Sequence, residues 1–411
     1  MGEDRFARIR CVYAEACTLA PALRARFAAA GLAPEGIYGP EELASLPVLK
    51  KETLLAQQQA DPPFAGYLAC RPDEIGHLYV SPGPIFEPSL ADDGTGHGMS
   101  MMFAAAGLGP GDLALNSWAY HLVPAGLLFD QGLRAVGATV LPSGTGNTDL
   151  QAELLLKLPV TAFLGSTAFF QAVIERLEAQ DHALPASWRL RHAFLGGEFG
   201  NWSAKRRRLE EAYGIRTSSC YGTADFGLIG YEQDDIDSYR IHPDRYVQIC
   251  DPISGDPLAQ GVAGEIVVTT LARGWPMIRF GTGDVSTALE IGADGGVTRI
   301  ASIQGRVGQA VKAREIFIYP SHVEALPSLV SGLLRAAVTV QRSASRDEVA
   351  ARVVLKDGAD EAGVDAQLRQ AFAGLTRLRL DRVEVVTHAA LPEGTPLLSD
   401  ARHEAERSSQ S

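Results

Sequence analysis

The stretch GEIVVTTL at 264–271, followed after a short turn by PMIRFGTGD at 276–284, decides how this 411-residue chain is read. The run from Glu265 to Leu271 is apolar and β-branched, and Asp251-Pro252, Ser254-Gly255 and Gly261 punctuate the chain around it with tight turns. Closely spaced strands joined by such turns predict an antiparallel subdomain beginning near Tyr239. Upstream the texture differs. Short apolar runs at Leu78 to Val80, Leu113 to Leu115, Ala138 to Leu141, Thr161 to Leu164 and Ala193 to Leu195 alternate with helical stretches. Such alternation predicts a parallel sheet with helices on both faces. Before it, Phe6, Ile9, Tyr13, Leu19, Leu23 and Phe27 recur at helical spacing, with Pro21 as an interruption and Gly31 as a C-cap. A second change of texture comes near Gly305, where strand and helix patterns resume and run to a polar tail. The expected division is a large α/β domain over 1–304, a small α+β C-terminal lid domain over 305–401, and a disordered tail at 402–411.

Composition removes several classes. The formal net charge is -12, and the one dense basic cluster, Lys205-Arg206-Arg207-Arg208, lies in an amphipathic helix pattern ahead of Glu210 and Glu211. It reads as a solvated helix face, so no nucleic-acid partner is expected. No apolar run reaches the length of a membrane span, and no membrane partner is expected. Cys11, Cys17, Cys70, Cys220 and Cys250 are odd in number and lack zinc-site spacing, so reduced thiols are expected. The opening MGEDRFARIR carries no apolar core or cleavage pattern of a secretory signal, and a cytoplasmic location is expected. There is no G-x-S-x-G elbow and no Walker-type phosphate loop.

Four segments bear chemistry. Gly196-Gly197-Glu198 follows a strand and precedes a helix, where glycine allows close backbone approach, although a Gly-Gly turn is equally an ordinary exposed loop. Tyr221-Gly222-Thr223-Ala224-Asp225 ends on a hard oxygen donor suited to magnesium, or on a helix-capping aspartate. The long signature ending in Thr282-Gly283-Asp284 is the third. The fourth is Gln304-Gly305-Arg306 with Phe317 to Glu324. In this order and spacing the set resembles the phenylacetate-CoA ligase family of adenylate-forming enzymes. The resemblance implies that Gly196, Gly197, Glu198, Tyr221, Gly222 and Thr223 surround adenine, with the tyrosine ring stacked on the base. It implies that Asp225 carries Mg2+, that Asp284 accepts hydrogen bonds from both ribose hydroxyls, and that Arg306 contacts ribose or phosphate. ATP or AMP, Mg2+ and CoA are the implied cofactors. Trp118, Tyr120 and His121 follow a strand end, where open α/β sheets bind ligands, and Phe163 and Ser166 end a later strand; together they form the expected acyl pocket. The two aromatics of the first group are also plausible core residues, and the histidine a structural one.

The chain departs from that family in four places, one of them Gly308, near the usual acidic hinge position. Ser81-Pro82-Gly83-Pro84-Ile85-Phe86-Glu87-Pro88 stands where the family has a Ser/Thr/Gly loop with a lysine; Ser81 and Gly83 remain, while prolines remove backbone donors and Glu87 reverses the charge. Glu315 stands where glycine admits the pantetheine arm, and 392–397 offers no lysine for adenylation. Lys312 and Arg314, or Arg279, are the replacement cations. The expected protein is an AMP-forming acid-CoA ligase acting on an aromatic or medium-sized apolar carboxylic acid, its partners being that acid, ATP and CoA. A nucleotide- or acyl-binding homologue with reduced activity is the alternative, as is an adenylating enzyme that delivers to a carrier protein or an amine. A homodimer is left open.

Overall fold

The computed structural model describes residues 5–81, 84–180, 184, 186–196, 202–233, 237–314, 316–343 and 346–402. Among them the chain divides into two compact units. One takes the chain up to Thr282 together with Thr287–Ser302, and the other takes Gly283–Ser286 and the chain from Ile303 onward.

The first unit opens with helices Arg5–Leu19 and Pro21–Ala29, the proline occupying the first turn of the second helix, where its missing N–H costs nothing. Their apolar faces, including Phe6, Ile9, Tyr13, Leu23 and Phe27, pack with Tyr246, Leu271 and Ile278. Five parallel strands follow: Leu113–Asn116, Thr139–Leu141, Ala162–Ser166, His192–Gly196 and Arg216–Ser218. In space the second of these edges the sheet, then the first, third, fourth and fifth. Helices Ala125–Ala135, Thr148–Lys157 and Thr167–Glu178 provide its crossovers. Both faces are covered, which is why the central strands are continuous apolar runs.

The run at Leu78 to Val80 does not join this sheet. It belongs to Ile75–Ser81, which pairs antiparallel with Ile85–Leu90 in a two-stranded hairpin. Leu78 is exposed there and only one face of the strand is buried, a distinction that three apolar residues in sequence could not reveal.

The signature strand Ala263–Thr270 pairs antiparallel with Arg245–Cys250, in register from Arg245 opposite Thr270 to Cys250 opposite Glu265. Together with Phe280–Ile291 and neighbouring strands it forms a nine-stranded sheet that is almost wholly antiparallel. Arg279 is fully buried at its edge and donates to the carbonyls of Ala44, Leu46 and Gly255. That residue ties loops together and is not a free cation for catalysis.

The second unit has its own core. Hairpin Leu333–Ser343 and Arg346–Leu355 and helices Pro320–Leu329 and Glu361–Thr376 enclose Val323, Leu326, Val338, Val353, Leu368 and Phe372. Parallel strands Arg382–Val385 and Leu398–Asp400 flank the hairpin. The expected tail beyond Arg402 lies outside the described residues.

Candidate active site

The carboxyl ends of the parallel strands meet a cavity of about 350 Å³. Its floor is apolar, with Met99, Met102, Trp118, Leu128, Phe129 and Phe194. Its rim is small and polar, with Ser81, Gly196, Ser218, Gly222, Thr223 and Ala224. Strand chemistry explains that contrast. Along Cys220–Thr223 side chains alternate between faces, and Gly222 presents bare backbone toward the cavity. A Cβ on Gly222 would stand 2.5 Å from the carbonyl oxygen of Gly227 on the paired strand, so only glycine fits this approach. Thr223 adds a buried hydroxyl with no hydrogen-bond partner among the described residues.

Tyr221, expected against adenine, is buried with its ring 6.4 Å from that of Tyr239. Of the expected acyl-pocket residues, Trp118 does line the cavity, packed 5.9 Å from Phe129. Tyr120 instead accepts from Asn116 Nδ2 at 2.8 Å and donates to Asp130 at 3.2 Å, fixing the loop after the first parallel strand. His121 is exposed. Phe163 is fully buried against Phe170, with ring centroids 4.8 Å apart, because it points into the sheet core. Ser166 is spent as an N-cap, its hydroxyl accepting from the Phe169 N–H at 3.1 Å. Gly83, Gly197, Glu198 and Glu315 lie outside the described residues.

Beside the cavity is a charged cluster. Asp225, at the turn that closes the Tyr221 strand, is buried, and its Oδ2 lies 3.4 Å from Lys51 Nζ. Glu87, on the strand Ile85–Leu90, is also buried and neighbours Asp225. The Ser81 hydroxyl donates to its Oε1 at 2.7 Å. Burial first, and then the charge of Asp225, pushes the Glu87 carboxyl well above its usual range, against the opposing pull of Ser81 and Lys51. Glu87 Oε2 and Asp225 Oδ1 have no hydrogen-bond partner among the described residues. Lys51 was not anticipated, since 174 residues separate it from Asp225 and the Val48-Leu49-Lys50-Lys51 run carries no motif. Its neighbour Lys50 pairs with buried Glu265 of the signature strand. Asp225 also borders a second cavity of about 410 Å³ with His97, His242, Arg245 and Trp275 on its walls.

Two buried carboxylate oxygens without donors fit a divalent cation of the hard kind. Mg2+ takes one or two protein carboxylates and fills its remaining positions with water and phosphate oxygens. No group of three or more metal-binding side chains exists among the described residues, which suits that mode and not a closed protein cage.

In the second unit Arg306 Nε lies 3.3 Å from Asp284 Oδ1, the two residues facing each other across an antiparallel pair. Arg314 is committed to its own unit, bonded to Asp381 and to the backbone carbonyl of Asp347. The side chain of Lys312 lies outside the described residues.

This fold is shared with solved CoA ligases. The structure matches an open conformation of 2-hydroxyisobutyryl-CoA ligase, solved with 2-HIB-AMP and CoA, at a TM-score of 0.81, covering 95% of this chain and 89% of that one at 24% identity. In sequence the chain is 27% identical over 344 residues to the phenylacetate-coenzyme A ligase of Thermus thermophilus, covering 80% of this chain and 75% of the relative. It is 28% identical over 334 residues to the phenylacetate-coenzyme A ligase of Pseudomonas putida, covering 78% and 74% respectively. No protein-family model matches the chain. The chain is thus similar in sequence to phenylacetate-CoA ligases and shares the fold of a solved CoA ligase, as its motifs indicated. Among the described residues, no helix is long and apolar enough to cross a membrane.

Proposed function

We propose that this protein is an AMP-forming acid-CoA ligase whose acid is aromatic or medium-sized and apolar. The observation that carries the reading is the 350 Å³ cavity, where glycines of two nucleotide motifs, Gly196 and Gly222, share a wall with Trp118, Phe129 and Phe194. Bare backbone suits a flat base, and the aromatic floor suits an apolar acyl group. In the first half-reaction a carboxylate oxygen bonds to the α-phosphorus of ATP and pyrophosphate leaves. In the second the CoA thiol adds to the acyl carbon, loses its proton, and AMP leaves. Asp284 and Arg306 are assigned to the ribose and Asp225 to the metal. Mg2+, when bound, supplies charge neutralisation on the phosphates.

A second reading, a nucleotide- or acyl-binding homologue with little ligase activity, is favoured by the commitments of Arg279 and Arg314. Both are engaged with carbonyls or carboxylates, and neither is available to stabilise charge on the α-phosphate. Loss of one such donor commonly costs about a hundredfold in rate. The test is acid-dependent exchange of labelled pyrophosphate into ATP over a panel of aryl, arylacetic and C4–C8 acids. Exchange with apolar acids, weakened about tenfold or more in Trp118→Ala, is the expected result. Absence of exchange with every acid, while AMP still binds, selects the second reading.

A further inference from the structure

We propose that Ser218 is a specificity residue for the acid, its hydroxyl proton turned by His192 to an acceptor on the acyl group, so that the preferred substrate is an aryl acid with an ether or carbonyl oxygen on its ring.

His192 is buried, at 4% exposure, and only one of its ring nitrogens has a partner. Nε2 lies 2.8 Å from Ser218 Oγ, whereas Nδ1 has no hydrogen-bond partner among the described residues. Burial and the neighbouring arginines keep the ring neutral near pH 7, so it carries a single proton. On Nδ1 that proton would form a buried N–H without an acceptor, which folded proteins rarely tolerate. On Nε2 it is used, and only a lone pair is left over. The proton therefore belongs to Nε2, which donates to Ser218 Oγ. A hydroxyl that accepts from His192 has its own hydrogen to place elsewhere, and Ser218 has no second side-chain partner among the described residues.

Ser218 lines the 350 Å³ cavity, and so does Phe194, its partner across the parallel pair of strands. The His192 ring stacks on Phe194 within 4° of parallel, so the imidazole that holds Ser218 is itself held. Other hydroxyls of the cavity are engaged or placed elsewhere. Ser81 donates to Glu87, Ser219 bonds Tyr239, and Thr223 follows Gly222 on the strand assigned to the base. The donor beside the aromatic floor is thus Ser218. An aryl group resting on Phe194 brings its ring substituents alongside that donor. An ether or carbonyl oxygen there accepts the proton, whereas a hydrocarbon of the same shape leaves the hydroxyl unpaired.

The inference rests on the ligase reading, which lays the acyl group over Phe194, and the two can fail separately. Phenylacetic acids with a methoxy group at the ortho, meta or para position, and the matching ethyl compounds, are titrated calorimetrically into the full chain. Methoxy and ethyl are close in shape and differ in one acceptor. At one ring position at least, the methoxy acid should bind about fivefold or more tighter than its ethyl counterpart, and Ser218→Ala should bring the two within about twofold. His192→Phe, which removes the group that turns the hydroxyl, should shrink the preference, and His192→Gln, whose amide can still donate, should retain more of it. Both acids are measured on one preparation, so a loss of folded protein leaves their ratio of affinities untouched. Equal binding at all three positions, no binding of any of the acids, or a preference that survives Ser218→Ala would overturn the inference; a preference unchanged in His192→Phe would remove His192 from it. Pyrophosphate exchange with the same acids reads the ligase independently. Exchange without the methoxy preference overturns this inference alone, and the preference without exchange supports it while removing the ligase.

Discussion

Two buried charge clusters in the first unit each set carboxyl groups beside a basic side chain and are finished to opposite degrees. Arg206 is fully buried, and its guanidinium meets Glu232 in a fork, with Nη1 2.7 Å from Oε1 and Nη2 2.6 Å from Oε2. Its Nε donates to Thr217 at 2.9 Å, and the Ser219 N–H donates to Glu232 Oε2 at 2.7 Å. Around Asp225 and Glu87, by contrast, two carboxylates share one lysine and two oxygens are left over. The lesson is that buried charge alone does not mark a functional site. Where every donor and acceptor is spent the cluster is scaffold, and where acceptors are left over the cluster has room for a ligand.

The largest effect that separates them is on stability. Arg206→Met should lower the unfolding free energy of the first unit by about 3–5 kcal/mol in urea titrations, because Glu232 is left buried and unpaired. The double variant Arg206→Met, Glu232→Leu should recover much of the loss. An unaffected single variant would remove the contrast between the clusters.

A smaller effect belongs to His192, on the sheet strand beneath Arg206. Its Nε2 lies 2.8 Å from Ser218 Oγ and its ring stacks on Phe194 at 4.3 Å. Burial, followed by Arg216, Arg191 and Arg206, depresses its pKa to about 3. The folded value is below the unfolded one of about 6.5, so between them the unfolded chain binds the extra proton. Stability from this group is therefore complete above pH 6.5 and is lost as pH falls toward 3. The slope is at most about 1.4 kcal/mol per pH unit. Thermal melts of His192→Gln from pH 7 to 4.5 should show a shallower decline than the native chain; parallel declines would show that the histidine is not the group responsible.

The smallest stability effect is expected at the unfinished cluster. Glu87→Gln keeps the oxygen that Ser81 bonds and leaves a neutral group beside Asp225, as the raised Glu87 carboxyl already is near neutral pH. Its unfolding free energy should therefore stay within about 1 kcal/mol of the native value or rise. A loss as large as that of Arg206→Met would mean that the two clusters are alike.

How much of this could be read in the sequence depends on the range of the interaction. The parallel strands at Leu113, Ala162 and Ala193 were legible because burial on both faces leaves continuous apolar runs. The antiparallel signature strand was legible because turns bound it. Arg206 was misread as part of a solvated face: its neighbours Lys205, Arg207 and Arg208 are charged, and its partner Glu232 lies 26 residues away on another element. Tyr221 was assigned to adenine by motif; its ring packs 6.4 Å from that of Tyr239, a contact no motif announces. The Lys51 to Asp225 pair has no local signature at all, and only the folded chain brings it together.

The central claim is that Asp225 belongs to a ligand site and not to the scaffold, and calorimetric titration of MgATP and of AMP into the native chain and Asp225→Asn tests it most directly. AMP lacks the phosphates that a metal at this position would bridge. The account predicts that the substitution weakens MgATP by about tenfold or more, roughly 1.4 kcal/mol, while AMP affinity changes little. Equal weakening of both nucleotides, or of neither, would contradict it.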